Sequence, residues 1–274
     1  MRDRIRCPAM KTPFASAEKA VRFRALHEGP RAFVIANAFD AGSALLLAKK
    51  GFECLATSSG AAAGVLGRRD GEISRDEALA HARAIVEATD LPVSGDLENG
   101  FGDAPADVAE TIRGAGEAGL IGGSIEDYSG DKSRGIYPLE LAVQRIEAAV
   151  GAARSLGFPG FVLTARAENF LRGRPDLADT IARLRAYEAA GADVLFAPGL
   201  PDLDAVRAVC AALTKPFNFM VGMKGKSWDV VTLEAAGVRR ISLATSLWRA
   251  AMAGVAAAAD EVRGSGSFGY VERL

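Results

Sequence analysis

The sequence predicts an α/β fold, a (β/α)8 barrel, on three observations. One order of features recurs eight times along the 274 residues: an amphipathic helical stretch, a glycine-containing break, a short apolar run and a loop with polar residues. Strands alternating with helices through short links imply a parallel sheet, and eight such units fill the roughly 250 residues that a closed barrel takes. No GxGxxG follows the first apolar run, as the rival open dinucleotide-binding sheet requires.

In chain order, residues 1–30 read as a lead-in segment and a helix, "SAEKAVRFRALHEG". Four apolar runs follow: "AFVIANAFD" (32–40), "CLATSSG" (54–60), "PVSGDLENG" (92–100) and "IGGSIED" (121–127). The second half supplies "FVLTARAE" (161–168), "DVLFAPG" (193–199), "PFNFMV" (216–221) and "RRISLATS" (239–246). Runs this short and apolar read as buried parallel strands. Between them, apolar residues at helical spacing form core-facing stripes. Ala78, Ala82 and Ile85 make one, and Val108, Ile112 and Ala115 the next. Leu139, Val143, Ile146 and Val150 make a third, and Leu177, Ile181 and Leu184 a fourth. Ser74 and Glu77 stand at capping-box spacing and mark a helix start. "EAAGADVLF" and "EAAGVRRIS" repeat one device, a glycine just past a helix end that takes the left-handed turn into the next strand. The last stretch, "GSGSFGYVERL" (264–274), reads as a tail, and the whole of 1–274 as one domain.

Composition narrows the function. With 49% hydrophobic and 24% charged residues, the chain is long enough for one domain with a sizeable core. Its 33 basic and 34 acidic side chains leave no electrostatic footprint for nucleic acid or an anionic membrane, so a small-molecule partner is expected. Cys7, Cys54 and Cys210 share no metal-ligand spacing and fit a reducing compartment, the cytoplasm, better than a disulfide framework. The basic start lacks the apolar core of a secretory signal, and no apolar run reaches membrane-spanning length.

In such barrels the active site lies at the C-terminal mouths of the strands. Strand one ends with Asn37 and Asp40, strand two with Thr57, Ser58 and Ser59, strand three with Asp96, Glu98 and Asn99, and strand four with Glu126 and Asp127. Strand five contributes Arg166, Glu168 and Asn169, strand seven Asn218 and strand eight Thr245. Acidic positions of adjacent strands thus converge on one cavity. Asp96 and Glu98, two apart on one strand, share a face, and carboxylates so placed away from water require a proton or a cation among them. A hard divalent ion answers the need, with Asp96 as direct ligand and Glu98 and Glu126 holding its waters. Singly, these acids read as solvated loop residues or as partners of Arg166. Gly100 and Gly102 let the following loop turn sharply away. "TSSG" offers hydroxyls and two backbone N–H groups to an anionic oxygen, and Arg166 offers a bidentate clamp. Both histidines, His27 and His81, fall in predicted helices, which argues against a His base or His-ligated zinc. No lysine lies on a predicted strand, which argues against a Schiff base.

Four segments, "TSSGAAAGVLGRRDGE", "DLENGFGD", "SIEDYSG" and "ARAENF", together resemble the isocitrate lyase and phosphoenolpyruvate mutase superfamily, over about residues 18 to 260. The resemblance implies a barrel whose eighth helix is exchanged between subunits of a homodimer or homotetramer. It also implies a magnesium ion, or manganese in its place, and substrates that are 2-oxo or 2-hydroxy acids reacting through an enolate-like intermediate. Residue by residue, Ser58, Ser59 and Gly60 match the anion-cradling segment and Asp70 an acid near the metal. Asp96, Glu98 and Glu126 match the metal shell, and Arg166 matches the substrate clamp. Glu98 stands where many relatives have Asp.

The loop after strand four, "EDYSGDKSRGIYP", departs from the pattern. It has neither the Cys nor the His of the isocitrate and methylisocitrate lyases, and it has a lysine, Lys132, but no Asn to match the phosphonate mutases. The expected activity is carbon–carbon cleavage of a small dicarboxylic 2-oxo or 2-hydroxy acid, by decarboxylation or retro-aldol reaction. Ser58, Arg166 and Asn218 are expected to hold substrate, and Tyr128, Lys132 and Arg134 are candidates for the closing acid. The alternatives are phosphonomutase or phosphonopyruvate hydrolase chemistry, or a barrel that binds a metabolite without turning it over.

Overall fold

The computed structural model describes residues 13–273; residues 1–12 of the expected lead-in, with Cys7, and Leu274 of the tail lie outside the described residues. Eight parallel strands close into a barrel in chain order. They are β1 (Phe33–Asn37), β2 (Leu55–Ala56), β3 (Val93–Asp96), β4 (Gly122–Glu126), β5 (Val162–Arg166), β6 (Val194–Phe196), β7 (Phe217–Met220) and β8 (Arg240–Ser242). Each expected apolar run contains one of them.

Helix α1 (Pro13–Glu28) precedes the barrel. The outer layer is α2 (Ala41–Lys49), α3 (Ser59–Val65), α4 (Arg75–Ala88), α5 (Pro105–Glu117), α6 (Leu139–Arg154), α7 (Leu177–Ala189), α8 (Leu203–Ala212) and α9 (Val230–Ala235). The chain ends in α10 (Ser246–Ser265) and a short 3-10 turn, Gly269–Arg273, where the tail was expected. None of the described helices is long and apolar enough to cross a membrane.

Local chemistry explains the punctuation. The Ser74 side chain accepts from the Glu77 amide at the start of α4, and Glu77 reaches back to Ser74 N at 2.9 Å, the reciprocal pair read from the sequence. Gly191 and Gly237 follow α7 and α9 at φ +102° and +97°, a region that costs a side-chain-bearing residue steric strain. The stripes of α4 and α5 are buried as predicted.

Helix α6 departs from its predicted stripe. Leu139 at its first turn is 38% exposed, and the buried face carries Arg145 beside Ile146 and Val150. The Arg145 guanidinium stacks over Tyr137 and donates to the carbonyls of Asn99, Gly102 and Asp103, so it holds the loop after β3 from beneath. A periodicity argument cannot anticipate an arginine whose partners are carbonyls of a distant loop.

Two apolar layers position the site. The main core lies between strands and outer helices. A second cluster closes the N-terminal end of the barrel, where Ala20 and Phe23 of α1 meet inward-facing Ile35, Cys54, Val162 and Val194. The register sets Asp96 opposite Ser124, Glu126 opposite Arg166 and Asn218 opposite Arg240, so inward side chains of adjoining strands stand side by side.

Candidate active site

The polar strand ends open into two connected chambers. An inner chamber of about 310 Å³ runs down the barrel between Asn37, Ser94, Ser124, Asn218 and Arg240. An outer chamber of about 690 Å³ lies under the loop after β4, against Glu98, Glu126, Tyr128, Lys132 and Arg172. Ser59, Asp70 and Arg166 line both, so the junction lies at these three residues.

Asp96 ends β3 at this junction. Its backbone N–H donates to Thr57 Oγ1 at 2.8 Å, and its Oδ2 accepts from Ser59 N at 3.0 Å. Glu98 is not on the strand: β3 stops at Asp96, Leu97 turns into the core, and Glu98 takes φ +49°. The expectation that strand alternation aligns the two acids is thus corrected. A turn in the left-handed region, a conformation that costs a non-glycine residue energy, brings Glu98 to Asp96 instead. Its Oε1 is buried with no hydrogen-bond partner. Burial, then the charges of Asp96 and Asp70, push the Glu98 carboxyl up to about 8. Asp70, whose carboxyl lines the chamber junction from the turn before α4, is also raised, by desolvation and by Asp96.

Glu126 is raised by burial, although Arg166 and Arg172 stand 3.3 and 3.7 Å away. Arg166 is a shared centre rather than a free clamp. It bonds Glu168, pairs with Glu126, and lies 4.0 Å from Asp96. These acids hold it charged, well above the ordinary arginine range.

The acids at the junction fit a hard divalent cation. Asp70, Asp96 and Glu98 repel one another, and the buried Glu98 oxygen has no donor to satisfy it, a deficit that a cation with its water shell removes. Among the described residues no three His, Cys, Asp or Glu side chains stand close enough to ligate one ion together. The arrangement suits a single carboxylate ligand, with the remaining acids acting through water.

Several predicted residues stand elsewhere. Asp127 does not join the mouth. Alternation along the strand sends it outward, where Arg183 Nη1 at 3.1 Å and the Tyr187 hydroxyl at 2.7 Å donate to its Oδ2. Asp40 caps α2. Asn169 donates to Asp179 at 2.7 Å. The Ser58 hydroxyl caps α3 by accepting from Ala61 N, and the Ser59 amide is committed to Asp96, so "TSSG" presents fewer free N–H groups than expected. Gly100 does turn at φ +82°, whereas Gly102 is required by close approach: a Cβ there would lie 2.4 Å from Asp107 Oδ2.

The loop after β4 folds back on itself through a Tyr128–Ile136 bridge and a Ser129 N–H to Gly135 carbonyl bond. It docks on the loop after β3, where Arg134 and the Tyr137 hydroxyl both donate to Asp103 at 2.6 Å. Exposed Lys132 and ring-stacked Tyr128 face the outer chamber only, Tyr128 lying 3.6 Å beneath the Arg172 guanidinium. Neither histidine reaches a chamber. His27 donates to Phe23 O from within α1, and burial lowers it to about 3; His81 donates to Phe39 O from α4.

Sequence reasoning missed Arg172, Arg240 and Arg249, all of which line the chambers. Arg240 had a signal, a charged residue inside the apolar run "RRISLATS". Arg172 and Arg249 sit beyond the strand ends and had none.

Acids and arginines gathered over the mouth of a closed parallel barrel define a class, barrel enzymes whose site lies at the C-terminal strand ends. Comparison narrows it. The family model described as phosphoenolpyruvate phosphomutase matches residues 23–263. The 2-methylisocitrate lyase of Escherichia coli K12 is 34% identical over 209 residues, 73% of this chain and 68% of that one. The oxaloacetate decarboxylase of Chromohalobacter salexigens is 32% identical over 224 residues, 79% of this chain and 76% of that one. A crystal structure described as a lyase/mutase from Burkholderia cenocepacia J2315 is similar at a TM-score of 0.93 and 52% identity, over 95% of this chain and 93% of that one. The chain belongs to the phosphoenolpyruvate mutase family, within the isocitrate lyase/phosphoenolpyruvate mutase superfamily. Its relatives are carbon–carbon lyases and phosphomutases, and the protein is an enzyme rather than a passive metabolite-binding barrel.

Proposed function

We propose that the protein is a magnesium-dependent lyase that cleaves a carbon–carbon bond in a small 2-oxo or 2-hydroxy dicarboxylate. The observation that carries this reading is the buried, unpartnered Glu98 oxygen beside Asp96 and Asp70. Asp96 would hold the cation directly, and Glu98, Glu126 and Asp70 would hold its water shell. Once bound, such an ion would act as a Lewis acid toward a 2-oxo acid.

The chain's own groups supply the rest. Ser58, Ser59 and Gly60 border the anion at the head of α3, and Arg166 anchors a carboxylate at the junction while keeping Glu126 and Glu168 in place. Asn218 orients the acid from the inner chamber. In decarboxylation of a 2-oxo acid the electron pair of the breaking bond passes into the enolate as carbon dioxide leaves, and Tyr128 Oη or Lys132 Nζ returns a proton to the carbon from the outer chamber.

Oxaloacetate and a set of 2-alkylmalates, assayed with and without magnesium, test the reading. Turnover of at least one, dependent on the ion, is expected. Asp96→Asn is expected to weaken oxalate capture by about 100-fold. Inactivity throughout, or full oxalate binding by the variant, contradicts the assignment.

A second reading, phosphorus–carbon chemistry, has the phosphomutase family match and Lys132 in its favour. Phosphorus NMR on phosphonopyruvate separates it from the lyase. For either reaction the unit is a homodimer or homotetramer with α10 exchanged, supported by the absence of any buried residue along α10 and by exposed Met252 and Val255.

A further inference from the structure

Directly above the apolar plug, the inward side chains are polar: Ser94, Ser124, Thr164, Asn218, Arg240 and Ser242. Barrel interiors are ordinarily filled by branched apolar residues. Here that volume is left as the floor of the inner chamber.

Arg240 is the one charge on this floor. It is 5% exposed; its Nη1 donates to Thr164 Oγ1 at 3.0 Å, and its Nε has no acceptor. The acids above it turn to Arg166 instead. Adjacent Cys54 is no counter-ion, because burial pushes its thiol up to about 12. Two more polar atoms in the same chamber, Ser94 Oγ and Asn218 Oδ1, are buried without partners. The Asn218 amide contacts Ser242 Oγ at 3.1 Å, and turning that amide over lets Ser242 donate to its oxygen and aims its N–H at the chamber.

A buried guanidinium lacking a carboxylate is costly, and donors left idle around it add to the cost. All three deficits are met by one anion resting on the floor. Ser94 lies two residues below Asp96 on the same strand face, which puts the floor about 7 Å beneath the mouth, a span that a diacid of about four to six carbons bridges.

We propose that Arg240, with Ser94 and Asn218, forms a subsite that receives the distal carboxylate of the substrate and selects dicarboxylic over monocarboxylic 2-oxo acids. This rests on the reading of the mouth as a 2-oxo acid site and adds that the acid's far end points down the barrel axis.

The test is calorimetric binding to the full-length, magnesium-loaded protein. It compares oxaloacetate with 2-oxobutyrate, 2-oxoglutarate with 2-oxovalerate, and uses oxalate as a probe of the mouth alone. The wild type is expected to bind a diacid about tenfold or more tighter than its matched monoacid. Arg240→Met is expected to erase that preference and leave oxalate affinity within about twofold, and Arg240→Lys to retain part of it. Arg240→Met replaces an unpaired buried charge by an apolar chain, so its melting temperature should equal or exceed that of the wild type. Should it fail to fold, Arg240→Lys decides.

Equal binding of diacids and monoacids by the wild type overturns the proposal. So does a uniform loss across all ligands, oxalate included, in Arg240→Met. Failure of oxalate to bind the wild type counts against the mouth reading, while the diacid-to-monoacid ratio still decides the role of Arg240.

Discussion

Glu98 is where electrostatics and function meet most sharply. Burial, with the charges of Asp96 and Asp70, pushes its carboxyl from the ordinary 4.5 up to about 8 in the folded protein. Between those values the folded chain keeps a proton that the unfolded chain has lost, so this group subtracts stability as pH rises. Glu98→Gln removes the titration. In metal-free protein the variant's melting temperature should therefore gain on the wild type as pH goes from about 5 to about 8, by several degrees, and a pH-independent difference would refute the assignment. Magnesium added near pH 8 should raise the melting temperature of the wild type more than that of the variant. The sequence showed that this acid neighbours Asp96, but not that a left-handed turn rather than a strand puts it there.

At the scale of elements, the end of β4 separates two carboxylates by one peptide. Glu126 turns to the mouth and Asp127 to α7, where Arg183 and Tyr187 hold it at 2% side-chain exposure. Asp127→Ala leaves Arg183 buried with one acid fewer. It should cost about 3–5 kcal/mol, read as a drop of about 10 °C in thermal unfolding. A drop of a degree or less would show that Asp127 carries little of this joint. The loop after β4 is a different kind of element, tied down by Asp103 at a half-exposed ion pair. Asp103→Ala should change stability by less than about 1 kcal/mol. It should also raise hydrogen exchange across residues 129–136 and lower kcat/KM on the order of tenfold, as expected of a closing segment. Unchanged exchange would remove the loop from the mechanism. Alternation along the strand separates Glu126 from Asp127, although both were expected at the mouth, whereas docking of the loop on Asp103 depends on a residue 31 positions away.

For the whole molecule, α10 is the element without a home. It buries no residue, and its first turn lies against α3, where a Cβ on Gly64 would come 2.4 Å from the Trp248 ring. Met252→Glu with Val255→Glu should therefore shift the protein toward the 28.6 kDa monomer in light scattering, and a wild type that is already monomeric would contradict the exchanged-helix assembly. The eight-unit barrel, the capping box of α4, the glycine ends of α7 and α9 and the presence of acids at the strand ends follow from the sequence by itself, because they rest on period, spacing and glycine position, which are local. Tertiary structure alone decided which acids share a cavity, which arginines neutralise them and which are left over. The physical reason is that charge balance is summed over all eight strands: Arg166 is taken by acids from β3 and β4 and from just beyond β5, and Arg240 is left without one.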